Sequence, residues 1–243
     1  MLMSVIEGAR DTRRFPELAG KRVLITGLTS RCGVDIVRAF AEHKTRLVLQ
    51  FDETTAETQA ITEIAAPAAL DIRAFGPVDR SQDEVMQFAR SAVQSFCGLD
   101  AVINLVSLSL PRLEASASAA DIERIVSARL LMPHLIAKVV ANRMGLVWTE
   151  GLILNAAMLS KSGAGPMLAF ACVIKAALAD LTRAQAEEWA PQGIRCNAIA
   201  PQTALTPSEP CLEGEPDIAA LALYLASGRG KGLSGHVFEA ELR

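Results

Sequence analysis

Short runs that are apolar throughout, separated by longer segments of helical period, constrain the fold of this chain more than anything else in it. Val23–Leu24–Ile25, Leu47–Val48–Leu49, Ala101–Val102–Ile103, Leu152–Ile153–Leu154 and the set Cys196, Ala198 and Ile199 are candidate strands. A strand with no polar face must be covered on both sides, and crossover helices that do this leave the strands parallel. Between the first two runs, Gly33–Glu42 places Val34, Val37, Phe40 and Ala41 on one helical face. A longer helix, Pro166–Trp189, carries a stripe of Ala169, Cys172, Val173, Ala176, Ala177 and Leu181. Ala219–Ala226 reads as a C-terminal helix, and the Pro/Glu-rich stretch Thr206–Asp217 reads as a loop. Residues 1–16 read as an extension before the first strand, leaving residues 17–243 as one α/β domain without internal repeats.

Composition narrows the functional classes. Apolar residues form 51 % of the 243 and charged ones 21 %, enough for a large core and unlike a disordered chain. With 24 basic against 27 acidic residues and no dense Lys/Arg block, a nucleic-acid partner is not expected. The five cysteines (Cys32, Cys97, Cys172, Cys196 and Cys211) contain no CxxC and do not cluster with the three histidines, so neither a disulfide framework nor a metal site is expected. Met1–Arg14 has no apolar run of the kind a secretory signal needs. The greasiest internal stretch is interrupted by Arg129, His134 and Lys138, so no membrane span is expected either. A soluble, cytoplasmic protein is the expectation.

The first strand–turn–helix unit carries the first chemistry. Val23–Leu24–Ile25–Thr26–Gly27 ends a strand and Gly33 opens a helix. Glycine there lets a pyrophosphate approach the backbone, and unpaired amides at a helix start favour its charge. Asp52 follows Gly33 by 19 residues at the end of the second strand, where an acid accepts bonds from the adenosine ribose hydroxyls.

Over residues 18 to 238 the ordered motifs resemble those of the short-chain dehydrogenase/reductase family. Leu18–Ala19–Gly20–Lys21 with Thr26–Gly27 and Gly33 is similar to its TGxxxGxG opening. Gly98–Leu99–Asp100 with Asn104 is similar to the approach to its fourth strand, and Lys175–Ala176–Ala177 falls at its active-site lysine. Gly193–Ile194–Arg195–Cys196–Asn197, Ala200–Pro201, Thr206–Pro207, Asp217–Ile218–Ala219 and Ser234–Gly235 complete the order. The resemblance implies a single Rossmann-type doubly wound domain with a seven-stranded parallel sheet flanked by helices. It further implies NAD or NADP as cofactor, hydride transfer between a small carbonyl and an alcohol, and a homo-oligomer, dimer or tetramer, built on the long central helices.

Carried over residue by residue, the resemblance implies a damaged catalytic set. The family's tyrosine, which protonates the nascent alkoxide, corresponds to Ala171, and the only tyrosine in the chain is Tyr224, in the C-terminal helix. The carbonyl-polarising serine falls at Met158, with Ser160 and Ser162 nearby, and the relay asparagine falls at Arg129. Lys175 alone survives, fit to bond the ribose hydroxyls; a base, a nucleophile or a structural lysine are its other readings.

The cofactor cradle departs from the family as well. The cofactor-binding set implied is Thr26, Gly27, Arg31, Gly33, Asp52, Asn104, Lys175 and Thr206. Arg31 replaces the middle glycine, placed either to bond a phosphate (an NADP 2′-phosphate included) or to narrow the groove; Phe51 stands where an NAD-selecting acid usually does. The family's NNAG reads Asn104–Leu105–Val106–Ser107 and its PG reads Pro201–Gln202. Eleven steps from Thr206 to Asp217 leave little chain for substrate-covering helices. The leading expectation is a catalytically impaired dinucleotide-binding sensor, or a non-catalytic subunit in a hetero-oligomer with an active relative. An oxidoreductase using a proton from water, Ser160 or a partner subunit is the alternative, and a structural protein that binds no nucleotide is the third.

Overall fold

The computed structural model describes residues 15–79, 81–108, 118–147, 150–158, 166–201 and 215–240. Seven strands, β1 (Arg22–Leu28), β2 (Arg46–Phe51), β3 (Asp71–Phe75), β4 (Ala101–Ser107), β5 (Gly151–Met158), β6 (Ile194–Pro201) and β7 (Val237–Ala240), form one sheet in the order β3-β2-β1-β4-β5-β6-β7. Every pairing is parallel, with Ile25 beside Leu49 on one side and Ile103 on the other. This is the doubly wound sheet that the apolar runs demand. The edge strands β3 and β7 are short and half exposed, so neither carries the apolar signature of the central five.

The connecting helices are α1 (Val34–Glu42), α2 (Ala56–Ala65), α3 (Gln82–Gln94), α4 (Ala119–Val126), α5 (Met132–Leu146), α6 (Pro166–Trp189) and α7 (Glu215–Ala226). Successive strand residues point to opposite faces. Val23 and Ile25 meet α1, α2 and α7, whereas Leu24 meets α3, α5 and the end of α6. Phe15 and Leu18, just before β1, are buried in the first of these layers. The helix at Pro166–Trp189 lies where its periodicity puts it. α7, however, begins at Glu215, so Glu215–Asp217 belong to a helix and not to the loop expected through Asp217. Pro216 is compatible with this because the first turn of a helix has no use for its missing amide.

A π-helical turn, Ser127–Leu131, joins α4 to α5. Pro133 has no N–H to give the Arg129 carbonyl, so the helical ladder widens at that point. The continuous helix over Ala120–Leu146 is, by length and apolarity, sufficient to cross a bilayer, contrary to the expectation that no stretch would be. Its inner face, with Ile136, Ala137, Val140, Ala141 and Met144, lies in the core against α3.

Two polar constructions fix the sheet. In its centre the Thr26 hydroxyl donates to Asn104 Oδ1 (3.0 Å), Asn104 Nδ2 donates to Asn155 Oδ1 (3.0 Å) and Asn155 Nδ2 donates to the Thr182 hydroxyl (3.1 Å). All four residues are buried, so the chain links β1, β4, β5 and α6 inside the core. At the opposite end, Arg22 forks onto Asp100, Nε to Oδ2 and Nη2 to Oδ1 at 2.9 Å each, while its amide also donates to Oδ2 (2.8 Å). Burial pushes the Asp100 carboxyl up, but the Arg22 bonds and charge outweigh it and hold the group below its ordinary 3.8.

Candidate nucleotide cradle

The turn from β1 into α1 is shaped by the chain's own packing. Gly27 has φ +74°, and a Cβ there would run into the Leu105 carbonyl oxygen of β4. Gly33, at φ +94°, caps α1 in the left-handed region, and a Cβ would strike the Leu28 and Leu105 side chains. Between them Thr29 and Cys32 exchange backbone bonds (3.2 and 3.4 Å), leaving Arg31 exposed at the tip. Leu105 thus fills space against both glycines.

The amides of this turn already have partners. Gly27 N–H donates to Gln50 Oε1 (2.8 Å), Ser30 N–H to Glu53 Oε1 (2.8 Å), and Asp35 N–H, in the first turn of α1, to Glu215 Oε1 (2.7 Å). The Gly33 and Ile36 amides face the same Glu215 carboxylate. Burial pushes the Glu215 carboxyl above its ordinary value against the pull of these amides, and Asp35 adds to the push. The Ser30 amide lowers Glu53, with Arg31 assisting. Burial drives the Cys32 thiol up to about 12, with Glu215 and Asp52 contributing, so it stays protonated.

The remaining predicted site residues divide into three groups. Thr26 and Asn104 are interior, their side chains bonded to each other. Asp52 directly follows β2 and is exposed; it accepts from Gln50 Nε2 (3.3 Å). With Thr26, Gly27, Leu105, Arg129 and Met132 it lines a small cavity of about 70 Å³. Lys175 Nζ donates to Glu239 Oε1 of β7 at 3.1 Å and is 14 % exposed, so its cation already has a carboxylate partner. Ala171 lies in α6 one turn before Lys175, and Met158 ends β5, where its carbonyl accepts from the Leu108 amide (2.6 Å). Tyr224 packs among α7 side chains in the α1/α2 layer, while Ile174 and Leu178 of α6 pack on the other face of the sheet. Thr206, Ser160 and Ser162 lie outside the described residues. Among the described residues no group of three or more His, Cys, Asp and Glu is placed to hold a metal ion.

Residues 27–217 match the family model of the enoyl-(acyl carrier protein) reductases. The chain belongs to the short-chain dehydrogenase/reductase family. Galactitol 2-dehydrogenase (L-tagatose-forming) of Cereibacter sphaeroides is 29 % identical over 95 % of this chain and 97 % of its own. An uncharacterised oxidoreductase of Mycobacterium tuberculosis is 30 % identical over 92 % of each. Among solved structures, an NADH-dependent reductase complexed with NAD superposes with a TM-score of 0.78 at 20 % identity, covering 93 % of this chain and 97 % of that one. The family is one of NAD(P)-dependent oxidoreductases.

Among the described residues, the groups at this place in the fold are largely engaged with the chain's own side chains. Ligand sites of this class occupy about 300–1,000 Å³, and the space beside Gly27 and Asp52 holds about 70 Å³. The amides that would meet a diphosphate are bonded to Gln50, Glu53 and Glu215, and the retained lysine is bonded to Glu239. Sequence reasoning missed these four acidic and amide side chains. Only Glu53 left a trace, as an acid next to Asp52.

Proposed function

We propose that this chain is a catalytically impaired member of its family, a dinucleotide-responsive sensor or a non-catalytic subunit. The observation that carries the reading is the isolation of Lys175. Its position in α6 is kept, but the residue four positions before it, which the resemblance matches to the family's tyrosine, is alanine (Ala171), and its ammonium is paired with Glu239. The chain's only tyrosine belongs to the opposite layer of the sheet. Loss of a positioned proton donor reduces such reactions by about 10²–10⁴, and loss of a carbonyl-polarising donor by a further ~10²–10³. Exposed Ile122, Val126, Leu131 and Val173 on α4, the π turn and α6 favour assembly through these helices, in solution, with a second copy or an active relative.

The test is a panel of carbonyls and alcohols assayed with NADH, NADPH and their oxidised forms. Turnover below detection is expected, and a rate above about 1 s⁻¹, the lower end of ordinary enzymes, refutes the reading. A second reading, an active alcohol dehydrogenase with Ser160 as substitute donor, is favoured by likeness to named dehydrogenases over nearly the whole chain. It predicts activity that disappears in Lys175→Ala.

A further inference from the structure

We propose that Glu215 is an internal anion seated where a nucleotide diphosphate would lie, so that this chain's dinucleotide affinity is set by how readily that side chain, at the tip of α7, withdraws. The inference deepens the functional reading above and rests on it. A helix N-terminus presents unpaired amides and a positive dipole end, the feature that draws phosphate to this place in doubly wound folds. In this chain the same amides, Gly33, Asp35 and Ile36, converge on one carboxylate, with the Asp35 bond at 2.7 Å. That carboxylate arrives from 180 residues away, so it is a tertiary contact between α1 and α7 and not a local cap.

Glu53 repeats the device on the preceding turn, accepting from Ser30. Two carboxylates on the amides of one strand-to-helix connection compete with a diphosphate, whose charge both would repel. Withdrawal requires little of the fold. Glu215 is the first residue of α7 and Pro216 beside it is exposed, while Asp217, Ile218, Leu221, Ala222 and Leu225 are buried, so withdrawal involves the Glu215 side chain at the helix tip while the rest of the helix stays docked. The seat is also poised electrostatically. Asp35 of α1 and the Cys32 thiol of the turn face Glu215, Asp217 follows it on its own helix, and Asp52 and Arg129 lie beyond Cys32; Arg38, one turn along α1, is engaged with Asp35. Burial holds the Glu215 carboxyl above its ordinary 4.5, so it is discharged before ordinary carboxylates as the solution is acidified. A protonated Glu215 no longer repels a phosphate.

The experiment is calorimetric titration of the full chain with ADP and with NADH, for wild type, Glu215→Gln, Glu215→Ala and Glu53→Gln. Glu215→Gln is expected to bind both probes about tenfold more tightly than wild type. Glu215→Ala, which removes the acceptor, gains more, and Glu53→Gln gains less. Wild-type affinity rises as the solution is acidified toward the raised Glu215 carboxyl, while that of Glu215→Gln stays flat. Circular dichroism and thermal midpoints confirm that each variant is folded; should Glu215→Ala fail to fold, the isosteric variant and the wild-type pH series still decide. Equal affinities in wild type and Glu215→Gln, with no pH dependence, overturn the self-occupied seat and leave dinucleotide binding standing. Absence of binding in every variant at every pH overturns dinucleotide recognition itself, and the seat as its competitor with it.

Discussion

Polar groups in the middle of the sheet and at its carboxyl rim are satisfied in opposite ways. In the middle, Thr26, Asn104, Asn155 and Thr182 are neutral, buried and bonded in series across three strands and a helix. At the rim, amides and a lysine that serve a dinucleotide in the family meet charged side chains of the same chain: Glu53, Glu215 and Glu239. The interior chain is needed for folding whether or not a ligand exists, because each unpaired buried group would lose its bond to water without replacement. The rim has no such obligation. Its contacts can be exchanged without stranding a buried group, so the fold does not depend on them.

Substitutions separate these two roles. Gly27→Val, which places a branched side chain at φ +74° against the Leu105 carbonyl, is expected to lower stability the most, by about 3 kcal/mol or more in denaturant unfolding. Asn104→Leu follows at about 2–3 kcal/mol, since it strands the Thr26 hydroxyl and the Asn155 carbonyl oxygen. Asp100→Asn comes next, at about 1–2 kcal/mol near neutral pH, and its pH profile has a defined sign. The Asp100 carboxyl is held below 3.8, so its stabilisation is complete above that value and is lost as the pH falls through its lower folded value. Unfolding curves of wild type and Asp100→Asn therefore converge in acid. Glu239→Gln, which releases Lys175 at a rim position where the carboxylate is 55 % exposed, should change stability by less than about 0.5 kcal/mol. If the rim variant proved as damaging as the interior ones, the contrast between the two regions would be wrong.

The interior was legible from sequence and the rim was not. Five central strands announced themselves by continuous apolar runs, and α6 by its small-residue stripe, because burial on both faces leaves a compositional mark. β3, with Asp71 and Arg73 facing water, and the four-residue β7 carry no such mark. In the sequence Gly27 and Gly33 suggest room for a phosphate, yet their nearest neighbours are Leu28 and Leu105. Contacts such as Glu215 to Asp35 or Lys175 to Glu239 join residues far apart in the chain, and nothing in local spacing announces them. Arg129, which the resemblance matches to the relay asparagine, lines the small cavity with Asp52 on a π turn that Pro133 makes intelligible only once the helix is seen to continue through it.

A structure determined from crystals grown with NADH and a bound carbonyl analogue tests the proposed lack of a proton donor most directly. With the nicotinamide in place, the carbonyl oxygen should find only carbon at Ala171 and no hydroxyl or other acidic hydrogen within about 3.2 Å. A serine, water or partner-subunit group donating to that oxygen at hydrogen-bond distance would contradict the account.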